Sequence, residues 1–102
     1  NGERLTYFEN KQLKTKEMYS YDSKNGAWEE YFEDGKLFKK FNYSHDRLGG
    51  EYLENYTNGE VKEEGNYAGD KKYKKWKYYS ENDDLLRTET WKNGKMVKSS
   101  EK

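Results

Sequence analysis

Alternating apolar and polar positions recur along this chain with a period of 24 residues. Four columns of equivalent positions show it: Gly2, Gly26, Gly50 and Lys74; Arg4, Trp28, Tyr52 and Trp76; Leu13, Leu37, Val61 and Leu85; Tyr19, Tyr43, Tyr67 and Trp91. A fixed period without insertions indicates tandem structural repeats. Within each period the alternation has the two-residue spacing of a β-strand rather than the 3.6-residue spacing of a helix.

Each repeat predicts a β-hairpin. Asp34-Gly35 and Asn58-Gly59 separate two alternating runs, as is typical of tight hairpin turns, and a second turn column contains His45-Asp46. A two-residue turn at 34–35 predicts the cross-strand pairs Gly26–Tyr43, Trp28–Phe41, Glu30–Lys39 and Phe32–Leu37. We therefore predict an all-β fold: an open single-layer antiparallel meander of about eight strands, built from four 24-residue β-hairpin repeats.

The repeats predict one domain over residues 1–98, with units at about 2–25, 26–49, 50–73 and 74–98. Residues 99–102 are predicted to be a frayed tail. The glycine column faces a tyrosine column, whose rings are expected to cover the bare backbone. In the fourth unit Lys74 faces Trp91 instead, and we expect its ammonium group to lie over the indole ring.

The alternation divides the large apolar side chains between two faces of the sheet. The aromatic face is predicted to form a thin core, and it carries Trp28, Phe32, Leu37, Tyr43, Tyr52, Tyr56 and Trp76. The opposite face, here called the tyrosine face, carries Leu5, Tyr7, Tyr31, Phe38, Leu53 and Tyr79. Tyrosine offers a large contact area at a small entropic cost, so Tyr7, Tyr31, Tyr79, Leu53 and Phe38 are candidate partner-binding residues. The alternative is that these rings simply cover the sheet beneath lysine stems.

Composition narrows the classes of partner. Aromatic residues make up 18% of the chain, which argues against disorder, because disordered chains are poor in them. Twenty basic residues offset twenty acidic ones, so no specific nucleic acid is expected as a partner. Cysteine is absent, which excludes disulfides and thiolate metal sites. The chain begins with Asn1-Gly2 rather than Met, which leaves a cytoplasmic and an exported protein both open.

One segment combines lysines with aromatic residues, and its lysines form a second candidate binding site: Lys71, Lys72, Lys74 and Lys75. Such a patch suits an anion or an acidic protein. Strand alternation would divide it between two faces, however, so a solvated and salt-bridged edge is the alternative.

Catalytic chemistry is not expected. His45 is the single histidine, and it lies in a turn column. Adjacent carboxylates such as Glu29 and Glu30 would point to opposite faces of a strand. Residues 82–84 lack the ligand spacing of a calcium-binding loop. We therefore predict no catalytic residue, no metal site and no cofactor.

The stretch from Gly26 through Trp28, Tyr31 and Asp34-Gly35 to Tyr43 resembles the bacterial MORN-like repeat of the second type, found in proteins described as YwqK-family antitoxins. The resemblance covers nearly the whole chain and is weakest in the fourth unit. It implies an elongated hairpin array that binds another protein, with an antitoxin-like or scaffolding role and only peripheral membrane association. A cell-envelope binder of glycan or lipid headgroups is the alternative. The open end strands also favour end-to-end self-association.

Overall fold

The described part of the chain folds entirely into β-strands and their turns. The computed structural model describes residues 2–101, so Asn1 of the predicted domain and Lys102 of the predicted tail lie outside the described residues. The strands are β1 (Gly2–Tyr7), β2 (Leu13–Ser20), β3 (Ser23–Lys24), β4 (Gly26–Tyr31), β5 (Leu37–Ser44), β6 (Arg47–Leu48), β7 (Gly50–Asn55), β8 (Val61–Ala68), β9 (Lys71–Tyr79), β10 (Leu85–Lys92) and β11 (Lys95–Glu101).

All of these strands belong to one open sheet, which confirms the predicted antiparallel meander. The order is β1-β2-β4-β5-β7-β8-β9-β10-β11, with β3 beside β2 and β6 beside β5. The sheet therefore has eleven strands rather than about eight. Part of the difference arises at Gly26 and Gly50, whose φ values of 116° and 80° interrupt the first strand of a unit. β11 adds a strand after the fourth hairpin.

The sheet forms a single layer, with principal extents of 40 × 33 × 12 Å. Both faces therefore lie near solvent, and little of the chain is deeply buried. Trp76 is the one fully buried hydrophobic side chain among residues 2–101, with 1% of its surface exposed. The other buried residues of this part are Gly65 and the polar residues Asn55 and Glu89.

The predicted hairpin register is correct along the strands and wrong at the hairpin tip. Three predicted pairs are confirmed: Gly26–Tyr43, Trp28–Phe41 and Glu30–Lys39. Leu37 pairs with Tyr31 rather than with Phe32, because a bulge shifts the register between Glu30 and Tyr31. Leu37 therefore lies on the tyrosine face, since directly paired residues share a face.

The bulge follows from the length of the turn. The Phe32 backbone N–H donates to Lys36 O at 2.8 Å, and the Gly35 N–H donates to Phe32 O at 2.9 Å. These bonds enclose a three-residue loop whose last residue, Gly35, has φ 93°. The loop sets Tyr31 opposite Leu37, so Phe38 is the extra residue before the Glu30–Lys39 pair. The two-residue turn predicted at 34–35 is therefore wrong.

Two-residue turns with both φ values positive occur instead at the second turn of each unit. They are formed by Tyr21-Asp22, His45-Asp46, Gly69-Asp70 and Asn93-Gly94. This arrangement matches the twist of the flanking strands, and it confirms His45 as a turn residue. The turns also join neighbouring units, because Asp46 Oδ1 accepts a hydrogen bond from Lys24 N at 2.8 Å. Asp70 Oδ1 accepts one from Leu48 N at 2.7 Å in the next unit.

The C-terminal residues differ from the predicted frayed tail. Residues 99–101 extend β11 and pair with Glu89, Thr88 and Arg87 of β10. Backbone pairing therefore continues to Glu101, where a frayed tail was predicted. Every residue of β11 is exposed, so the strand depends on its ladder rather than on packing.

Candidate functional site

The rings of the aromatic face contact one another across successive strands. Their centroids are separated as follows: Tyr19–Trp28 5.7 Å, Trp28–Tyr43 5.0 Å, Phe41–Tyr52 6.1 Å, Tyr52–Trp76 5.4 Å and Tyr67–Trp76 5.0 Å. Most of these pairs are tilted or edge-to-face, which is the arrangement that aromatic quadrupoles favour. The aromatic face is therefore committed to internal packing.

Trp76 is the centre of this packing because Gly65 leaves room for it. A Cβ atom added to Gly65 would overlap the Trp76 indole ring, so only glycine fits beneath it. The indole N–H donates to the Asn66 backbone oxygen at 2.9 Å, which satisfies its polar edge. The backbone of Gly65 therefore lies directly against the buried ring of Trp76.

Lysine ammonium groups cover two parts of the aromatic face. Lys24 Nζ lies 5.3 Å from the Trp28 ring centroid, and Lys72 Nζ lies 4.7 Å from that of Trp76. Lys72 Nζ also lies 4.8 Å from the Trp91 ring. The prediction that Lys74 covers Trp91 is therefore wrong, because the Lys74 ammonium lies over Tyr73 instead.

Two carboxyl groups meet beside these rings. Glu54 pairs directly with Glu63. Burial and the neighbouring Glu54 raise the pKa of Glu63, although Lys72 and Lys62 act in the opposite direction. Lys62 Nζ lies 3.5 Å from Glu54 Oε2 and supplies one nearby cation. Burial beside a second carboxylate therefore disfavours the charged form of Glu63.

A second acid on the same face has the opposite environment. Glu89 accepts hydrogen bonds from Tyr78 Oη at 3.0 Å, Trp91 Nε1 at 3.0 Å and Arg87 Nε at 2.9 Å. Burial alone would raise the pKa of Glu89, but these donors and the Arg87 charge lower it overall. The carboxylate is thus held ionised within a satisfied polar network.

The tyrosine face shows a different use of aromatic side chains. Tyr7 is 57% exposed. Tyr31 Oη donates to Glu29 Oε1 at 2.7 Å, and Tyr79 Oη donates to Glu64 Oε2 at 2.7 Å. No ring–ring contact in residues 2–101 includes Tyr7, Tyr31 or Tyr79.

Both anchored hydroxyl groups remain protonated at physiological pH. Burial and the Glu29 hydrogen bond raise the pKa of Tyr31 to about 12. The Glu64 hydrogen bond, followed by burial, raises the pKa of Tyr79 to about 12. Each hydroxyl is thus a fixed donor to its carboxylate, and the bond orients the ring.

One position departs from the predicted tyrosine face. Phe38 turns to the aromatic face, where its ring centroid lies 4.7 Å from that of Phe32, because the tip bulge changes the alternation at this point. Asn55 occupies the tyrosine column between Tyr31 and Tyr79 and is buried. Its Nδ2 donates to Leu37 O at 3.2 Å.

The four candidate lysines do not form one surface. Lys72 belongs to the aromatic face, as described above. Lys71 packs against the turn at Gly94, where an added Cβ would lie 3.1 Å from Lys71 Cδ. Lys74 has φ 63° and forms part of a bulge in β9. Of these four lysines only Lys75 borders the groove of the tyrosine face, and their division between faces agrees with strand alternation.

That groove combines Leu53 and Lys75 with residues that the sequence analysis missed. It has a volume of about 360 Å³, and its remaining walls and floor are Glu51, Tyr52, Glu64, Gly65, Asn66 and Lys77. Opposite Gly65 the register of β8 and β9 shifts, so residues 74–76 of β9 face one residue of β8. The period of the sequence gives no sign of this shift, although alternation does place Glu64 and Lys77 on the tyrosine face.

Residues 2–101 contain no group of three or more His, Asp or Glu side chains that could hold a metal ion. Within the same residues there is also no helix of the length and apolarity needed to cross a membrane.

These features define a class of protein: a single-layer array of hairpin repeats, with one face packed on itself and the other carrying an open groove. The sequence matches the family described as MORN repeat variant over residues 1–21, 24–45 and 48–68. The chain therefore belongs to the MORN repeat variant family. Repeats of this family are generally modules that bind proteins or membranes. No curated protein and no solved structure gives a significant match.

Proposed function

We propose that this chain is a non-catalytic protein-interaction module that binds its partner on the tyrosine face. One observation carries the proposal: the rings of the aromatic face pack on one another, whereas Tyr7, Tyr31 and Tyr79 contact no other ring in residues 2–101. Aromatic side chains that pack against no other ring, two of them oriented by carboxylates, offer contact area at little entropic cost.

The role of such a module in the cell would be scaffolding or antitoxin-like neutralisation of a toxin. Both roles need a wide, rigid surface, and the repeat units supply it through the hydrogen bonds between their turns. The antitoxin-like role rests on the resemblance to YwqK-family proteins. A cell-envelope binder of glycan or lipid headgroups remains the alternative.

The test is affinity capture from the source cell's lysate, with the wild-type chain and a Tyr7→Ala, Tyr31→Ala, Tyr79→Ala variant as baits. A matched control carries Tyr21→Ala and Leu86→Ala, which are exposed positions outside the candidate partner-binding residues. Circular dichroism establishes that all three baits are folded. We expect one protein to be retained by wild type and control and lost by the triple variant. If no protein is retained, glycan and lipid arrays become the next experiment.

A further inference from the structure

The groove on the tyrosine face has walls of opposite charge. Register places Leu53, Glu64 and Lys77 in one row across it. Glu51 pairs with Asn66 beside this row, and the irregularity in β9 brings Lys75 to the same groove. The acidic residues thus come from β7 and β8, whereas both basic residues come from β9. A ligand crossing the strands meets negative charge first and positive charge next.

These four charges remain available to a ligand. None of the ion pairs within residues 2–101 includes Glu51, Glu64, Lys75 or Lys77. Glu64 is already oriented by the Tyr79 hydroxyl at 2.7 Å. The floor is rigid as well, because Gly65 lies directly against the buried Trp76 ring. Oriented charges around a rigid floor lose little entropy when a partner binds.

The spacing of the charges indicates what fits. Glu51 lies two strands from β9 and Glu64 lies one strand from it. The midpoint of these two residues is therefore about one and a half strand spacings from β9, or roughly 7 Å. In an extended segment, side chains at positions i and i+2 share a face and lie about 6.6–6.8 Å apart. A basic and an acidic residue separated by one residue therefore match the two walls.

We propose that the groove recognises an extended segment of a partner protein that carries a basic and an acidic side chain at positions i and i+2. The basic side chain lies against Glu51 and Glu64, and the acidic one lies against Lys75 and Lys77. The inference rests on the proposed protein-binding function of the tyrosine face, and it adds the chemistry of the partner segment.

Two synthetic peptides test this recognition with the 102-residue chain. Acetyl-Thr-Lys-Thr-Asp-Thr-amide places the two charges on one side, and acetyl-Thr-Lys-Thr-Thr-Asp-amide places them on opposite sides. Titrations followed by backbone amide NMR shifts give both affinities. We expect the first peptide to bind about fivefold more tightly, with shifts at residues 51–53, 64–66 and 75–77, and to weaken as salt is added.

Variants that reverse the charges of the groove test whether those charges select the peptide. A variant that only disturbed the fold would bind every peptide more weakly, rather than prefer a different one. In a Lys75→Glu, Lys77→Glu variant the groove becomes wholly acidic, so it should prefer a peptide with lysine at both charged positions. A Lys36→Glu, Lys92→Glu variant makes the same charge change at exposed positions outside the groove and should keep the wild-type preference. A Glu51→Lys variant should instead favour aspartate at both positions.

Equal binding of the two first peptides to the wild-type chain, or shifts that map outside the groove, would overturn the inference. A wild-type preference that survives Lys75→Glu, Lys77→Glu would overturn it too. These outcomes leave the proposed function standing if the lysate capture still depends on Tyr7, Tyr31 and Tyr79. Failure of the capture alone would remove the proposed function.

Discussion

On the aromatic face Trp28, Tyr52 and Trp76 belong to a continuous series of ring contacts, whereas Tyr7, Tyr31 and Tyr79 on the opposite face bind carboxylates or meet solvent. Both sets occupy fixed columns of the same repeat. The difference shows that one repeated pattern supplies stability on one side of a thin sheet and contact area on the other. Substitutions on the two faces should therefore have unequal effects.

The largest effect is expected from Trp76→Ala. The change removes the one fully buried hydrophobic side chain of residues 2–101 and leaves a space above Gly65. Replacement of a buried tryptophan by alanine costs about 3–5 kcal/mol, which is a large share of the stability of a small domain. Urea unfolding followed by circular dichroism measures the loss. A loss below about 1 kcal/mol would contradict the packing role of the aromatic face.

The second effect is expected from Glu89→Gln. The change leaves Arg87, Tyr78 and Trp91 with a neutral acceptor in place of a carboxylate, and charged hydrogen bonds contribute about 1.5–3 kcal/mol. We expect a loss of about 2 kcal/mol at neutral pH. The wild-type advantage is present above the usual pKa of 4.5 and disappears as the pH falls through the lowered pKa of Glu89. An advantage that persists in strong acid would contradict this role.

Lys74→Gly should stabilise the protein, in contrast to the two preceding substitutions. Lys74 has φ 63° in the column where the other units have glycine, and a left-handed conformation costs a residue with a Cβ about 1–2 kcal/mol. Replacement by glycine removes this cost, but the greater conformational freedom of glycine in the unfolded chain offsets part of the stabilisation. We expect a net stabilisation of about 0.5–1 kcal/mol in urea unfolding. Lys75→Gly, at a position without a positive φ, should destabilise the protein instead.

Glu63→Gln should stabilise the protein slightly at neutral pH. The pKa of Glu63 is raised, so its contribution is full below the usual value of 4.5 and is lost as the pH rises through the raised pKa. Glutamine stays neutral at every pH, so it avoids this loss of stability. For a half-exposed group the free energy of unfolding should rise by about 0.2–1 kcal/mol. The advantage of the variant should be absent at pH 3 and present at pH 8 in parallel urea titrations.

The smallest effect is expected from Tyr7→Ala. Tyr7 is 57% exposed and makes no ring contact in residues 2–101, so its stability change should stay within about 0.5 kcal/mol. Tyr19→Ala is the matched comparison, because its ring lies 5.7 Å from that of Trp28. A large loss from Tyr7→Ala would remove the distinction between the two faces.

The 24-residue period, the hairpins and most of the register could be predicted because each rests on local chemistry. Alternation places Trp28 opposite Phe41, and the turn residues limit how far the register can slip. The same alternation correctly places Tyr31 and Leu53 on the tyrosine face, since Lys40 pairs with both Glu29 and Leu53. The sequence by itself therefore determined the strands and the division of most side chains between two faces.

The tertiary structure decided the positions of the strand irregularities and the placement of the side chains beside them. The bulge at the hairpin tip moves Leu37 to the tyrosine face and Phe38 to the aromatic face. The irregularity in β9 brings Lys72, rather than Lys74, over Trp91 and opens the groove opposite Gly65. One extra residue in a strand changes which side chains share a face, and it arises from loop closure and ring packing rather than from the period of the sequence.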